Sequence, residues 1–414
     1  MQSFVRVLAL AAAALPFLGQ AAPVDPVSTQ TIPGKWIVQL KPEADVATVA
    51  SHMINVREIH RRNLARSEIH TLSAGIEREF GFGMFKGYAG AFDDATVDEL
   101  RNMPEVMTVE EDYEMTLYGE FVTQTDSTWG LASISSRTGN ATSYVYDSSA
   151  GTGTFNYVVD TGVRLTHNEF NGRAVWGYNS VNNISVDNNG HGTHVAGTMA
   201  GITYGVAKNS TVVAVKVFEG SSGTASQVID GFNWAVNDIV TKNRTSTAVI
   251  NMSLGGRASA TWDAAMTAAW NQGVLAVVAA GNQNSDASES SPARSPEALT
   301  VGGVQQSDFL NDGPQGSNYG PVVDIFAAGT GVLSAGYTSD SASQSASGTS
   351  MACPHVGGLV SYLRGLEGPS SAEAIKARVL ELATPGRVKD PKGSANLLAF
   401  NGADVKRRRH VMRV

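Results

Sequence analysis

The sequence is nearly devoid of cysteine. Cys353 stands alone among 414 residues, so no disulfide can close within the chain. Whatever folds here must be held by apolar cores, with a bound metal as the remaining staple. Long apolar runs are scarce too. The stretch Val7–Leu18 is sustained, but it is too short to span a bilayer comfortably. Nothing after it is long and apolar enough for a membrane span. Arg6 precedes the run, Pro16 interrupts it, and the small residues Gly19, Ala21 and Ala22 follow. That is the plan of a cleaved signal peptide over residues 1–21, and it predicts an extracellular protein without a membrane partner.

Apolar residues make up 42% of the chain and glycines number 43, a globular composition with many tight turns. A length of 414 residues predicts two folded units. Charge is unevenly spread. Residues 22–121 hold nine Lys and Arg against seventeen Asp and Glu, which equals the whole chain's formal net charge of −8. The last ten residues, 405–414, carry Lys406, Arg407, Arg408, Arg409 and Arg413. Such a run reads as a solvated tail rather than a nucleic-acid surface, and a monomer is expected. Secretion would make Asn140, Asn183, Asn209 and Asn243 candidate glycosylation sites. Asn251 also fits the triplet, but it lies beside an apolar strand and is expected to be buried.

Residues 35–118 read as a small α+β unit. Trp36–Leu40 alternates like a strand, Asp45–Arg66 is a charged helical stretch, and strand-like Gly75–Phe82 and Gly87–Phe92 follow. A short helix at Ala95–Asn102 and a strand at Val106–Glu111 complete the order β-α-β-β-α-β, the ferredoxin-like arrangement. Tyr118–Gln124 reads as a linker. From about Trp129 the pattern changes. Strands are predicted at Phe155–Asp160, Thr211–Val217, Ala248–Met252 and Val274–Ala279, and helices at His191–Ile202, Ser226–Thr241, Ala260–Gln272, Ser350–Leu366 and Ala372–Leu382. Short apolar strands alternating with helices predict a parallel sheet covered on both faces. Sites in such sheets lie at the carboxyl ends of strands, where Asp160 and Asn282 fall.

Serine catalysis needs a hydroxyl, a base within hydrogen-bond reach, an acid to orient that base, and donors for an oxyanion. Three segments supply such groups. Asp160 ends the apolar strand Tyr157-Val158-Val159-Asp160-Thr161-Gly162, although a carboxylate there is commonly a turn or helix cap. His191 lies in Asn189-Gly190-His191-Gly192-Thr193-His194, where flanking glycines let the backbone turn sharply into a helix. Taken locally, that histidine also reads as a surface or capping residue. His191 and His194 make an i, i+3 pair, but no third metal-ligand cluster follows. Ser350 lies in Gly348-Thr349-Ser350-Met351-Ala352-Cys353-Pro354-His355. Small neighbours there let a substrate and a helix N-terminus approach closely. Cys353, three residues on, reads as a small buried hydrophobe, since no base is assigned to it.

Asp160-Thr161-Gly162, His191-Gly192-Thr193-His194-Val195-Ala196-Gly197 and Gly348-Thr349-Ser350-Met351-Ala352 together resemble the active-site signatures of the subtilases, most closely those of the proteinase K branch. Their order, Asp…His…Ser, is the subtilisin order, with spacings of 31 and 159 residues. The resemblance implies a doubly wound, mostly parallel α/β sheet with helices on both faces over residues 122–404, preceded by an inhibitory propeptide at 22–121. It implies a serine endopeptidase in which Ser350 attacks, His191 is the general base, Asp160 orients it and Asn282 donates to the oxyanion. Protein and peptide substrates are then the partners, together with the chain's own propeptide as inhibitor. Ser253-Leu254-Gly255-Gly256 matches the segment that pairs with extended substrate, with Ser222 and Gly223 near the opposite wall. Ala279, Ala280 and Gly281 form a pocket wall without charge, which favours a broad apolar or aromatic P1 side chain. Segments around Pro296, Ala298 and Asp324 match a structural calcium site, so Ca²⁺ is the expected cofactor. The chain departs from that branch in lacking disulfides, and Val195 stands where some relatives have cysteine.

Other readings explain less. An esterase built on the G-x-S-x-G elbow needs Ser…Asp…His, which after Ser350 leaves only Asp390 or Asp404 with His410, in the charged tail. A catalytically dead binding protein of the same fold would have lost a member of the set, and all four residues are present. A dibasic-cutting convertase is disfavoured because no acidic cluster or extra β-domain follows the catalytic part.

Overall fold

The computed structural model describes residues 31–66, 74–113, 121–313 and 316–403. The expected signal peptide and basic tail lie outside these residues. The chain divides between Tyr118 and Gly119 into two compact units.

The first unit has the predicted order: β1 (Thr31–Leu40), α1 (Val46–Leu64), β2 (Gly75–Phe82), β3 (Phe85–Ala91), α2 (Asp94–Arg101) and β4 (Val106–Tyr113). Its sheet runs β2-β3-β1-β4, antiparallel throughout. Alternation along β1 turns Trp36, Val38 and Leu40 to one face, where Met53, Val56, Val97 and Leu100 of the two helices cover them. Both helices start on an aspartate: Asp45 accepts from Thr48 N and Asp93 from Thr96 N, filling donors that a helix start leaves open.

The second unit opens with β5 (Phe121–Gln124), α3 (Trp129–Ile134) and β6 (Tyr144–Asp147). Phe121 pairs with Asp147 and Gln124 with Tyr144, so the last four residues of the expected linker form a strand. The alternating region follows: β7 (Phe155–Asp160), β8 (Ala174–Asn179), α4 (His191–Ala200), β9 (Thr211–Lys216), α5 (Ala225–Thr241), β10 (Ala248–Met252), β11 (Gly256–Arg257), α6 (Ala260–Asn271), β12 (Ala276–Ala279), β13 (Ser290–Ser291), β14 (Leu299–Val304) and β15 (Ile325–Ala328). The chain ends with β16 (Val332–Ala335), β17 (Ser343–Ala346), α7 (Thr349–Glu367), α8 (Ala372–Leu382), β18 (Thr384–Pro385) and β19 (Leu397–Leu398). The main sheet runs β18-β19-β15-β14-β12-β10-β7-β9-β8. It is parallel except for its antiparallel edge pair β18–β19.

Successive side chains of β7 serve opposite layers. Val158 packs with residues of α4 and α7, while Tyr157 and Val159 pack with residues of α5 and α6. The near-continuous apolar strands therefore reflect burial on both faces. The strand order reverses at β7, whose neighbours are β9 and β10. That switch point opens a crevice at the carboxyl ends of the strands, and Asp160 is the last residue of β7.

Candidate active site

Asp160 is buried at the end of β7, and the first turn of α4 brings His191 to it. Nδ1 of His191 lies 2.8 Å from Oδ1 of Asp160 and 2.9 Å from Oδ2. Two glycines make this approach possible. Gly190 caps α4 with φ +99°, and a Cβ there would lie 2.2 Å from the Tyr337 ring. A Cβ on Gly192 would lie 2.0 Å from the Gly162 carbonyl oxygen. Burial opposes the charged imidazolium, but the Asp160 charge and hydrogen bond, with Asp187 behind them, outweigh it. The His191 pKa is held above its ordinary value. The other described histidines of this unit are tied to backbone: His167 to Ala342 O, His194 to Val332 O and His355 to Met351 O. Burial pushes His194 and His355 down to about 4, which keeps them neutral. The i, i+3 pair His191 and His194 thus faces different partners.

Asp187 is a member of this cluster that the sequence reading passed over. Its Oδ1 accepts from Thr161 Oγ1, Asn189 N and Gly190 N, and its Oδ2 from Thr193 N and Oγ1. Thr161 Oγ1 in turn accepts from Gly192 N at 2.9 Å. One buried carboxylate therefore joins the Asp160 turn to the start of α4. The fully buried Lys216 adds bonds from Nζ to Thr161 O at 2.8 Å and Val186 O at 3.1 Å, with Glu219 3.1 Å away. The sequence signal was an aspartate four residues before a glycine-flanked histidine.

Ser350 sits in the first turn of α7, where helix N–H groups lack intrahelical partners. Pro354 has no N–H to offer the Ser350 carbonyl four residues back. Ser253 Oγ takes that place, donating to Ser350 O at 2.9 Å. The Ser350 hydroxyl returns a bond of 3.1 Å to Ser253 O. Rotation about χ1 is what would free it for an imidazole, and apo catalytic contacts commonly tighten only with substrate. Asn251 is buried as expected and donates to Ser253 Oγ at 3.0 Å. Its Oδ1 accepts from Cys353 Sγ at 3.2 Å, and burial pushes the Cys353 thiol well up. Asn140, Asn183, Asn209 and Asn243 are exposed.

Asn282 follows β12 beside Ser350. Its Oδ1 accepts from Thr349 N at 2.8 Å and Thr349 Oγ1 at 2.9 Å. Taking the amide oxygen this way leaves the NH₂ end as the free donor. Gly281, at φ +106°, turns the chain where a Cβ would lie 2.4 Å from Asn318 Nδ2. Asn318 holds the loop from behind through Ala280 O and Gln283 N.

An open cleft of about 460 Å³ runs beside these groups, lined by Leu254–Arg257, Ala279–Gln283, Ser285, Glu289, Ser290, Thr349 and Ser350. It gathers Leu254, Gly255, Gly256, Ala279, Ala280 and Gly281 as expected. Ser253 meets Ser350 and is outside this lining. Ser222 and Gly223 lie in the exposed loop before α5 and are outside the lining. The cleft also carries charge that the wall triplet did not foretell: Arg257 on β11 and Glu289, beside β13. The two short strands pair Arg257 with Ser290, which brings distant parts of the sequence to one rim.

The three oxygens expected to hold calcium do meet, but on a lysine. Lys376 Nζ donates to Pro296 O at 2.9 Å and to Ala298 O, and Asp324 Oδ2 is 3.7 Å away. An ammonium stands where the cation was expected, and this donor set does not fit Ca²⁺ while it does.

Residues 151–402 match the subtilase family (Peptidase S8), and residues 35–118 match the peptidase inhibitor I9 family. Alkaline protease 1 of Aspergillus clavatus is 51% identical over 97% of this chain and 100% of its own. A cuticle-degrading serine protease of Arthrobotrys oligospora is 44% identical over 95% of this chain and 97% of its own. Among solved structures, a cold-adapted subtilisin-like serine proteinase aligns with TM-score 0.62 and 40% identity, covering 67% of this chain and 98% of that one. The chain is a serine protease of the subtilase family, carrying an I9 inhibitor domain before its peptidase unit.

Proposed function

We propose that Ser350 is the nucleophile of this protease, His191 its general base, Asp160 the acid that fixes the imidazole tautomer, and Asn282 the side-chain oxyanion donor. The observation that carries the assignment is that two groups of the set are each locked by a neighbour. Nδ1 of His191 is held by Asp160, and the Asn282 amide is turned by Thr349. Nε2 of His191 takes the Ser350 proton as Oγ attacks the scissile carbonyl. The tetrahedral oxyanion accepts from Asn282 Nδ2, and the imidazolium returns the proton to the leaving amine. Water then attacks the acyl-enzyme by the same route in reverse.

The substrate lies extended along Ser253–Gly256, where glycines leave room for a second backbone. Ser222 and Gly223 flank it from the opposite side. The small apolar wall Ala279-Ala280-Gly281 favours broad cleavage after apolar and aromatic residues, with Arg257 and Glu289 at the rim. The protein is secreted, and it is synthesised as a zymogen that cuts itself between Phe121 and Val122. The released acidic propeptide then stays as a product inhibitor. Phe121 begins β5, so that bond is accessible only when the first β5–β6 pair opens.

Expression of Ser350→Ala alone tests the reading. It should yield a full-length precursor without casein-hydrolysing activity, whereas the wild type should show a mature N-terminus within residues 118–124. Normal maturation of the variant would remove Ser350 from its role. A wild-type terminus far from that window would overturn the pocket reading alone.

A further inference from the structure

The Lys376 contact has consequences beyond its failure to match a metal site. Lys376 lies in the second turn of α8 and reaches across to the turn that enters β14. Its partners come from two places: the Pro296 and Ala298 carbonyls on that turn, and Asp324 just before β15. An ammonium has three donors and no acceptor, so two carbonyls and a carboxylate suit it. Asp324 is also fixed from the other side, with Oδ2 accepting from Thr300 N at 2.8 Å. Burial pushes the Asp324 carboxyl up, and the Lys376 charge works against that rise. The half-buried carboxylate is therefore stabilised by a cation at this place.

Calcium takes about six to eight oxygens, waters among them, at about 2.3–2.6 Å, and the chain itself offers two carbonyls and one carboxylate here. Glu297, between the two carbonyl residues in sequence, is engaged elsewhere, with Oε1 accepting from Thr267 and Oε2 from Ser295. A divalent ion within bonding distance of the same oxygens would also sit against the Lys376 ammonium, two positive charges in one partly buried space.

We propose that Lys376 is the resident cation of the Pro296–Ala298–Asp324 site, so that the joint between α8, β14 and β15 is held by a charge built into the chain and takes no calcium. The site is a latent metal site, opened by shortening Lys376. A side-chain cation cannot be stripped by a chelator, which matters in a chain that has no disulfide.

The test uses the mature enzyme, inactivated with a covalent serine reagent, and thermal unfolding in excess chelator or in added calcium. Wild type and Asp324→Asn should show the same calcium-induced shift in Tm. Lys376→Met, which keeps the stem and loses the charge, should melt about 2–6 °C lower in both conditions. Lys376→Ala should melt lower in chelator and recover part of the loss in calcium, and a second change, Asp324→Asn, should abolish that recovery. A wild-type calcium shift that disappears in Asp324→Asn would overturn the proposal, as would an unchanged Tm in Lys376→Met. A calcium response of Lys376→Ala no larger than the wild type's would refute the latent site. Elemental analysis of bound calcium in wild type and Asp324→Asn needs no Lys376 variant: equal content supports the proposal, and one ion fewer in Asp324→Asn defeats it.

Discussion

Thr349→Val is the most informative single change around Ser350, because it leaves every proposed catalytic group in place and loosens one. Thr349 is buried, and valine matches its shape while removing Oγ1. Two bonds now hold the Asn282 amide oxygen, from Thr349 N at 2.8 Å and Thr349 Oγ1 at 2.9 Å. The variant keeps the first and loses the second. It also strips Gly281 N of an acceptor at 3.2 Å, a long bond that contributes little. Losing one neutral hydrogen bond costs about 0.5–1.5 kcal/mol, and a tenfold rate change corresponds to about 1.4 kcal/mol. Turnover should therefore fall about two- to tenfold with KM nearly constant, since the amide is used when the oxyanion forms. Asn282→Ala deletes the donor itself and should cost on the order of 10²–10³ in kcat. In the Asn282→Ala background the Thr349 change should cost almost nothing, because no amide is left to orient. Steady-state kinetics on a peptide nitroanilide with Phe at P1 would measure all four proteins. Equal losses from Thr349→Val in both backgrounds would refute the orientation argument, and an Asn282→Ala turnover within threefold of wild type would refute the donor.

The acid limb of kcat/KM should report His191, which must be neutral to accept a proton. Because Asp160 and Asp187 hold its pKa above the ordinary histidine value of 6.5, activity should be lost as pH falls through a point above that value. Asp160→Asn should move this limb to lower pH, since burial is then opposed by Asp187 alone, while lowering kcat about 10⁴-fold; a limb that stays in place would contradict the assignment. Gly192→Ala forces a Cβ to 2.0 Å from Gly162 O and 3.2 Å from Asp160 Oδ1. Overpacking of this kind costs about 1–3 kcal/mol, and at least a tenfold loss of turnover is expected in protein with an unchanged circular dichroism spectrum. Gly256→Ala is the contrasting case, because a Cβ there meets no protein atom within 4 Å. Its Tm should hold while KM rises, and an unchanged KM would remove Gly256 from the substrate path.

Much of the fold was legible in short windows because its signals are local. The apolar run Tyr157–Val159 ending at Asp160 is a strand, and the alternation at Trp36, Val38 and Leu40 is the buried face of β1. The glycines around His191 stand where the Tyr337 ring and the Gly162 carbonyl oxygen leave no room for a Cβ. Ser350 falls in the first turn of α7, between the Gly348 cap and Pro354. Only the tertiary structure decided what each of these groups touches. Asp187 joins Thr161 to Thr193, Ser253 meets Ser350 across 97 residues of sequence, and Arg257 comes beside Ser290 through one pair of short strands. Lys376 is the sharpest instance. Its sequence neighbours mark an ordinary helical lysine, and the matching of Pro296, Ala298 and Asp324 had suggested calcium. Which cation fills a ring of oxygens depends on which side chain the strand order and helix packing carry to it, and a long flexible stem leaves no periodicity to read. Local sequence sets backbone conformation through sterics and hydrogen-bond donors within a few residues, whereas the partner of a buried charge is set by sheet order and register, quantities that no short window contains.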